Sequence, residues 1–192
     1  GNLLLNPEER DALISSDDKS LKFIKKLIGA LEFIRGVDKY CLWIEDKDKD
    51  EAMSIVSISE RVEATKLSRE QSRRVATQKL AKIPHQFGEI RYQKSNSIIF
   101  PSVSSERREY VPIGFLDDSY VIVAPNFAIY NASPYHLSIL TSRMHMTWMR
   151  TVAGRLKTDY RYSSSLVYNT FPFPNISKQR QEELTQSTLR II

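Results

Sequence analysis

The sequence predicts an α+β fold, a mixed and mainly antiparallel β core flanked by helices. Short runs of β-forming residues crowd the middle of the chain, at 97–100, 110–115, 120–124 and 127–130. Each is closed by turn residues such as Gly114, Asp117-Asp118 or Pro125-Asn126. Helical periodicity holds on either side of them, over 51–80 and 137–152. Only six glycines occur in 192 residues, and no Gly-rich loop leads a strand into a helix. A dinucleotide fingerprint and a P-loop, marks of parallel α/β sheets, are therefore missing.

Taken in order, residues 1–16 form an entry segment. Asn6 caps a short helix with Pro7 in its first turn and Glu8 and Glu9 at the positive end of its dipole. Asp17 or Asp18 caps a second expected helix to Ile28, on the spacing of Leu21, Ile24, Leu27 and Ile28, which Gly29 would end. Residues 31–34 and 39–44 read as two strands of a hairpin turned at 35–38. From Glu51 to Leu80 the pattern is helical and basic, with Ile55, Ile58, Val62 and Leu67 inward and Arg69, Arg73 and Arg74 on or near one outer face. Residues 87–90 read as a strand, and 101–108 as a polar connection whose hydroxyls and paired arginines suit a phosphate. Ser133 or Asn131 caps a long helix with Pro134 in its first turn and Leu137, Leu140, Met144, Trp148 and Val152 as its core stripe. Arg143 and Arg150 share a different face of it. A short strand at 166–168, an extended exit through Pro172 and Pro174, and an amphipathic helix capped by Ser177 complete the chain.

Composition narrows the function. The chain is 41% hydrophobic and 27% charged, as a soluble domain is. No apolar run reaches the length of a membrane span, so no membrane partner is expected. One cysteine, Cys41, excludes an internal disulfide framework and suits a reducing, cytoplasmic compartment. Three scattered histidines give no metal-ligand spacing. The net charge is +5, unevenly placed. Nine Lys/Arg face three Glu between Arg61 and Lys94, and five face one Asp between Arg143 and Arg161, whereas Glu45–Glu51 holds five acids and two bases. Such segregation is what an electrostatic footprint for nucleic acid looks like. No nucleophile–base arrangement stands out, so neither a catalytic residue nor a cofactor is assigned to this chain, and a small hydrolase is disfavoured. The abrupt start without Met suits a piece excised from something longer.

The most informative stretch is Arg155–Ser163. Read as one strand, it carries Arg155, Lys157, Asp159, Arg161 and Ser163 on one face and Leu156, Thr158, Tyr160 and Tyr162 on the other. Lys donates to the O6 and N7 of guanine, and Asp accepts from the N4 amine of cytosine, so Lys157 and Asp159 together suit one G·C pair. A charged, solvent-facing strand edge is the competing account.

These segments, with Asn2–Leu5, Lys39–Ile44, Ala76–Leu80, Pro101–Arg108, Pro112–Leu116, Thr141–His145, Gly154–Ser163 and Tyr168–Pro172, resemble the target recognition domain of MmeI-like enzymes. Those are combined type II restriction–modification proteins with an adenine DNA methyltransferase. The resemblance implies a fold like the target recognition domains of DNA methyltransferases and type I specificity subunits, with duplex DNA as partner. It implies an entry segment at 1–16, the recognition domain at 17–174 and the start of a C-terminal helical region at 175–192. In the parent it implies methyltransferase and nuclease domains, with S-adenosylmethionine and Mg2+. It further implies that Lys157 and Asp159 set one base of the recognition sequence, a G on the modified strand, and that Arg161 reads a neighbour. Phosphate contacts are expected among Arg73, Arg74, Lys79, Ser104, Ser105, Arg107, Arg108 and Arg143. The alternative reading is a structural or protein-interaction domain whose basic surface is incidental.

Overall fold

Asn6 starts the first helix as its sequence implies. Its side chain accepts from the Glu9 amide at 2.7 Å, and the Glu9 carboxylate accepts from the Asn6 amide at 3.0 Å, closing a reciprocal cap. The computed structural model describes residues 1–192. They divide into two compact units, residues 1–28 with 36–92 and residues 29–35 with 93–192.

The first unit opens with β1 (Leu4–Leu5) and α1 (Pro7–Ser16), then a 3-10 turn at Asp18–Phe23 and β2 (Ile24–Ile28). The helix expected up to Ile28 is thus only this turn. Ile24 to Lys26 pair antiparallel with the later strand β3 (Tyr40–Leu42), which also pairs with β1. The segment between them, α2 (Ala30–Arg35), is a helix belonging to the second unit, so no hairpin joins 31–34 to 39–44. Short apolar runs fit either periodicity, and here nonlocal pairing decides. Next come α3 (Lys49–Ser54), α4 (Val56–Glu70) and α5 (Val75–Lys79). Ile58, Val62 and Thr65 of α4 are buried and Leu67 is not. The core gathers Leu3, Leu5, Phe23, Tyr40, Leu42, Ile44, Ile55, Ile58 and Val62. Cys41 lies in the middle of β3, fully covered, and burial pushes its thiol up to about 12, which leaves it inert. The 87–90 segment is not a strand.

In the second unit β4 (Ser97–Phe100) is central to a three-stranded antiparallel sheet. It is preceded by no strand of its own unit and followed by β5 (Val103–Ser104), β6 (Gly114–Leu116), β7 (Tyr120–Ile122) and β8 (Phe127–Tyr130). β6 and β8 flank β4, pairing Ile98 with Phe115 and with Ile129. Gly114 is required here, since a Cβ would run into the Phe33 ring of α2.

The long helix expected from Pro134 to Val152 breaks into α6 (Pro134–Leu140) and α7 (Arg143–Val152), because Ser142 leaves the helix to accept from the His145 amide. The break turns the second half. His145, Met146 and Met149 face the core, while Met144 of the expected stripe is 49% exposed. Ile98, Phe100, Leu137, Leu140, Met146, Met149 and Tyr162 make the second core. After β9 (Gly154–Leu156) and β10 (Asp159–Arg161) comes a π-helical turn at Ser164–Tyr168, and then α8 (Lys178–Leu189), capped by Ser177 and packed on α6. The architecture is the α+β class expected from the sequence. No helix is long and apolar enough to cross a membrane.

Candidate nucleic-acid interface

The stretch from Arg155 to Ser163 is a tight hairpin rather than one strand. Leu156 pairs with Asp159, Tyr160 with Arg155 and Arg161 with Gly154, so Lys157 and Thr158 are the two central residues of the turn. Lys157 takes φ +57°, the left-handed value that such turns need at their first central position. This corrects the strand-face argument, because Lys157 does not share a pleated face with Asp159. The two still lie close. Only Thr158 separates them, so their Cα atoms are at most about 7 Å apart. Asp159 and Arg161, two apart on β10, do share a face.

The hairpin is held from both sides. β10 pairs antiparallel with β5, setting Tyr160 opposite Ser104 and Arg161 opposite Val103. Beyond β5 the chain turns through 105–108. The Glu106 amide makes a long contact, 3.4 Å, to the Asp159 carboxylate. Arg155 ties the two segments together. Its guanidinium stacks on the Tyr160 ring at 3.9 Å, approaches the Glu106 carboxylate at 3.7 Å and donates to the Thr158 carbonyl at 2.8 Å. Below the hairpin, the Tyr162 amide donates to the Ser102 carbonyl, and its ring packs on Phe100 at 4.8 Å. The Tyr162 hydroxyl lies 3.0 Å from His145 Nε2, and His145 Nδ1 lies 2.7 Å from the Leu140 carbonyl. Nδ1 therefore carries the proton and donates to the carbonyl, which leaves Nε2 to accept from the tyrosine. Burial depresses the His145 pKa and raises that of Tyr162, which keeps both neutral.

The expected site residues fall into three groups. Lys157, Asp159 and Arg161 meet Ser105, Arg107 and Arg108 at the hairpin and the adjoining 105–108 loop. Lys157, Arg161, Arg107 and Arg108 are exposed there, with no side-chain hydrogen bond or ion pair within the chain. Ser104 belongs to the same strand but is only 4% exposed, its hydroxyl buried without a partner, so it does not face solvent beside the arginines. Arg143, exposed at the start of α7, leans on the Tyr110 hydroxyl, which holds its pKa up. Arg73, Arg74 and Lys79 belong to the first unit, exposed on and beside α5. Arg69, which the helical pattern puts beside them, turns inward instead. It donates to the carbonyls of Leu80, Ile83 and Gln86 at 2.9, 2.8 and 2.6 Å.

Sequence reasoning missed Glu106 and Arg155 as the braces of the hairpin, and His145 as its anchor. No spacing rule joins residues 106, 145 and 155, whose meeting depends on the β5–β10 pairing. The residues present do not fit a metal ion, as no three His, Cys, Asp or Glu converge. The most enclosed cavity, about 220 Å³, lies beside Trp43 in the first unit.

The chain matches the family model of the MmeI target recognition domain over residues 1–175. It is 42% identical over 192 residues to DNA methyltransferase A of Bacillus subtilis (strain 168), a match that takes in 100% of this chain and 22% of that protein. Its structure superimposes with a TM-score of 0.85 on the type IIL restriction–modification enzyme MmeI in complex with DNA, at 32% identity, over 100% of this chain and 26% of that one. The chain thus spans about a quarter of the length of the relatives it matches. On these matches, and on a fold of the expected class, the chain belongs to the MmeI target recognition domain family.

Proposed function

We propose that this chain is the sequence-specific, double-stranded DNA recognition module of a restriction–modification DNA methyltransferase, and that it reads bases in the major groove. The observation that carries this reading is the braced hairpin. It presents Lys157, Asp159 and Arg161 to solvent without internal partners for the two cations, beside a loop that presents Arg107 and Arg108. A two-stranded ribbon is slim enough to enter the major groove, where G and C offer opposite hydrogen-bonding edges. Lys157 donates to guanine O6 and N7, Asp159 accepts from cytosine N4, and Arg161 reads a neighbouring base. Arg107, Arg108, Ser105 and Arg143 take phosphates and fix the register without reading sequence. Arg73, Arg74 and Lys79 add phosphate contacts from the first unit.

In this reading the chain binds and the rest of its parent reacts. The parent is a site-specific N6-adenine DNA methyltransferase with endonuclease activity, working in the cytoplasm, and its methyltransferase and nuclease domains hold S-adenosylmethionine and Mg2+. Residues 1–16 then enter from the methyltransferase, 17–174 recognise DNA, and 175–192 begin the C-terminal helical region.

The test is the pair exchange Lys157→Glu with Asp159→Arg in the intact parent. It reverses donor and acceptor, so the methylated sequence should exchange G for C at one position, while an unchanged methylated sequence refutes the base-reading assignment. For the chain alone, duplex affinity should fall steeply with salt, by about 0.9 in log–log slope per phosphate contact. Weak, salt-insensitive binding favours a protein-interaction domain.

A further inference from the structure

The first unit holds a cavity that DNA reading does not use. It is about 220 Å³ and is lined by Trp43, Phe87 and Tyr92 together with Asp46, Gln86 and His85. The Trp43 ring lies 5.9 Å from Phe87, nearly parallel, and 5.1 Å from Tyr92, edge to face. Asp46 Oδ1 accepts from His85 Nε2 and from Gln86 Nε2, both at 2.8 Å. His85 is 2% exposed and its Nδ1 has no partner, while the Asp46 side chain is 78% exposed. His85 and Gln86 therefore hold the Asp46 carboxylate in place, and because Gln86 uses its amide nitrogen on Asp46, its oxygen remains an acceptor.

Charge and shape then select the ligand. Of the two acids that line the cavity, Glu45 is paired with Lys47 at 2.6 Å, so the exposed Asp46 carboxylate is the one it offers to a ligand, and a carboxylate disfavours a phosphate there. Aromatic faces attract cations, and Lys25 already sits 4.7 Å over the Tyr92 ring without lining the cavity. The volume admits a head group with part of its stem, and Asp46 and Gln86 offer acceptors to a planar donor edge.

We propose that this cavity binds a guanidinium group, its plane against the Trp43 ring and its N–H edge on Asp46 and Gln86. The site is independent of the hairpin. The test is titration of the 192-residue chain with N-acetyl-arginine amide, read by NMR at the Trp43 indole N–H, alongside agmatine and the neutral isostere N-acetyl-citrulline amide. Both guanidinium probes should shift the Trp43 signal and citrulline should not. Tighter binding of the arginine amide assigns the ligand to a protein arginine, and equal binding assigns it to a guanidinium from either source. Asp46→Asn, on an exposed side chain, should weaken binding about tenfold, as loss of a charged hydrogen bond does. Arg107→Ala with Arg108→Ala should leave it unchanged, which separates this site from DNA reading. Equal binding of citrulline, an unaffected Asp46→Asn variant, or no shift at Trp43 at the solubility limit of the probe overturns the proposal.

Discussion

Arg69 in the first unit and Arg107 and Arg108 in the second read alike in the sequence, as basic residues in polar surroundings. In the structure Arg69 donates to three backbone carbonyls that close the segment after α5, and burial lowers its pKa. Arg107 and Arg108 bond nothing through their side chains. The same contrast recurs inside the second unit, where Arg155 braces the hairpin while Arg161, six residues on, is left exposed. A basic residue is therefore a candidate for DNA only once the carbonyls and carboxylates of its own chain have been ruled out as its partners. Net charge cannot make that separation.

Four measurements can break or sharpen this contrast. The largest effect belongs to the Lys157→Glu, Asp159→Arg exchange, which should relocate specificity outright, since a good base pairing is worth about 1–3 kcal/mol of discrimination. Next is Arg69→Met. It leaves the carbonyls of Leu80, Ile83 and Gln86 without their donor and should cost about 2–3 kcal/mol in denaturant unfolding, with the salt slope of DNA binding unchanged. An unaltered unfolding midpoint would put Arg69 back with the solvent-facing arginines. Arg107→Ala and Arg108→Ala should do the reverse, each lowering the salt slope by about 1 and shifting stability by no more than about 0.5 kcal/mol.

The smallest effect is set by pH. Burial holds the folded His145 pKa below the ordinary value of about 6.5, so on acidification the unfolded chain takes up that proton first. The stability from the neutral ring is present above about pH 6.5 and is lost as pH falls through the depressed folded value. Tm should therefore drop more steeply between about pH 7 and 5 in the native chain than in His145→Gln, and superimposable profiles would remove His145 from the anchor.

How far the sequence could be read depended on the range of the interaction. Caps at Asn6, Ser133 and Ser177 were legible because their partners lie three residues away. The strands at Ser97–Phe100 and Phe127–Tyr130 were legible from β-forming residues between turns. Ile24–Ile28 was not, because its pairing with Tyr40–Leu42 outweighs a spacing equally good for a helix. The turn at Lys157 was invisible, since no Gly, Asn or Asp marks its first central position, and alternation ran on through it. The exposed, charged character of 157 and 161 was legible regardless, but the Ser104 hydroxyl and the inward Arg69 needed the tertiary structure to be told from their neighbours.

The φ of +57° at Lys157 also limits the alphabet in which this position can be written. Left-handed backbone costs an ordinary L-residue about 1–2 kcal/mol, Asn, Asp and Gly less, and side chains branched at Cβ the most. Val, Ile and Thr are thus screened out by the backbone alone. Lys, Arg, Glu, Gln, Asn and Asp, the side chains that can tell one base edge from another, are all unbranched at Cβ and pass the screen. Under the base-reading role proposed for Lys157, the bend of the hairpin thereby keeps its apex open to the residues that would rewrite a recognition sequence.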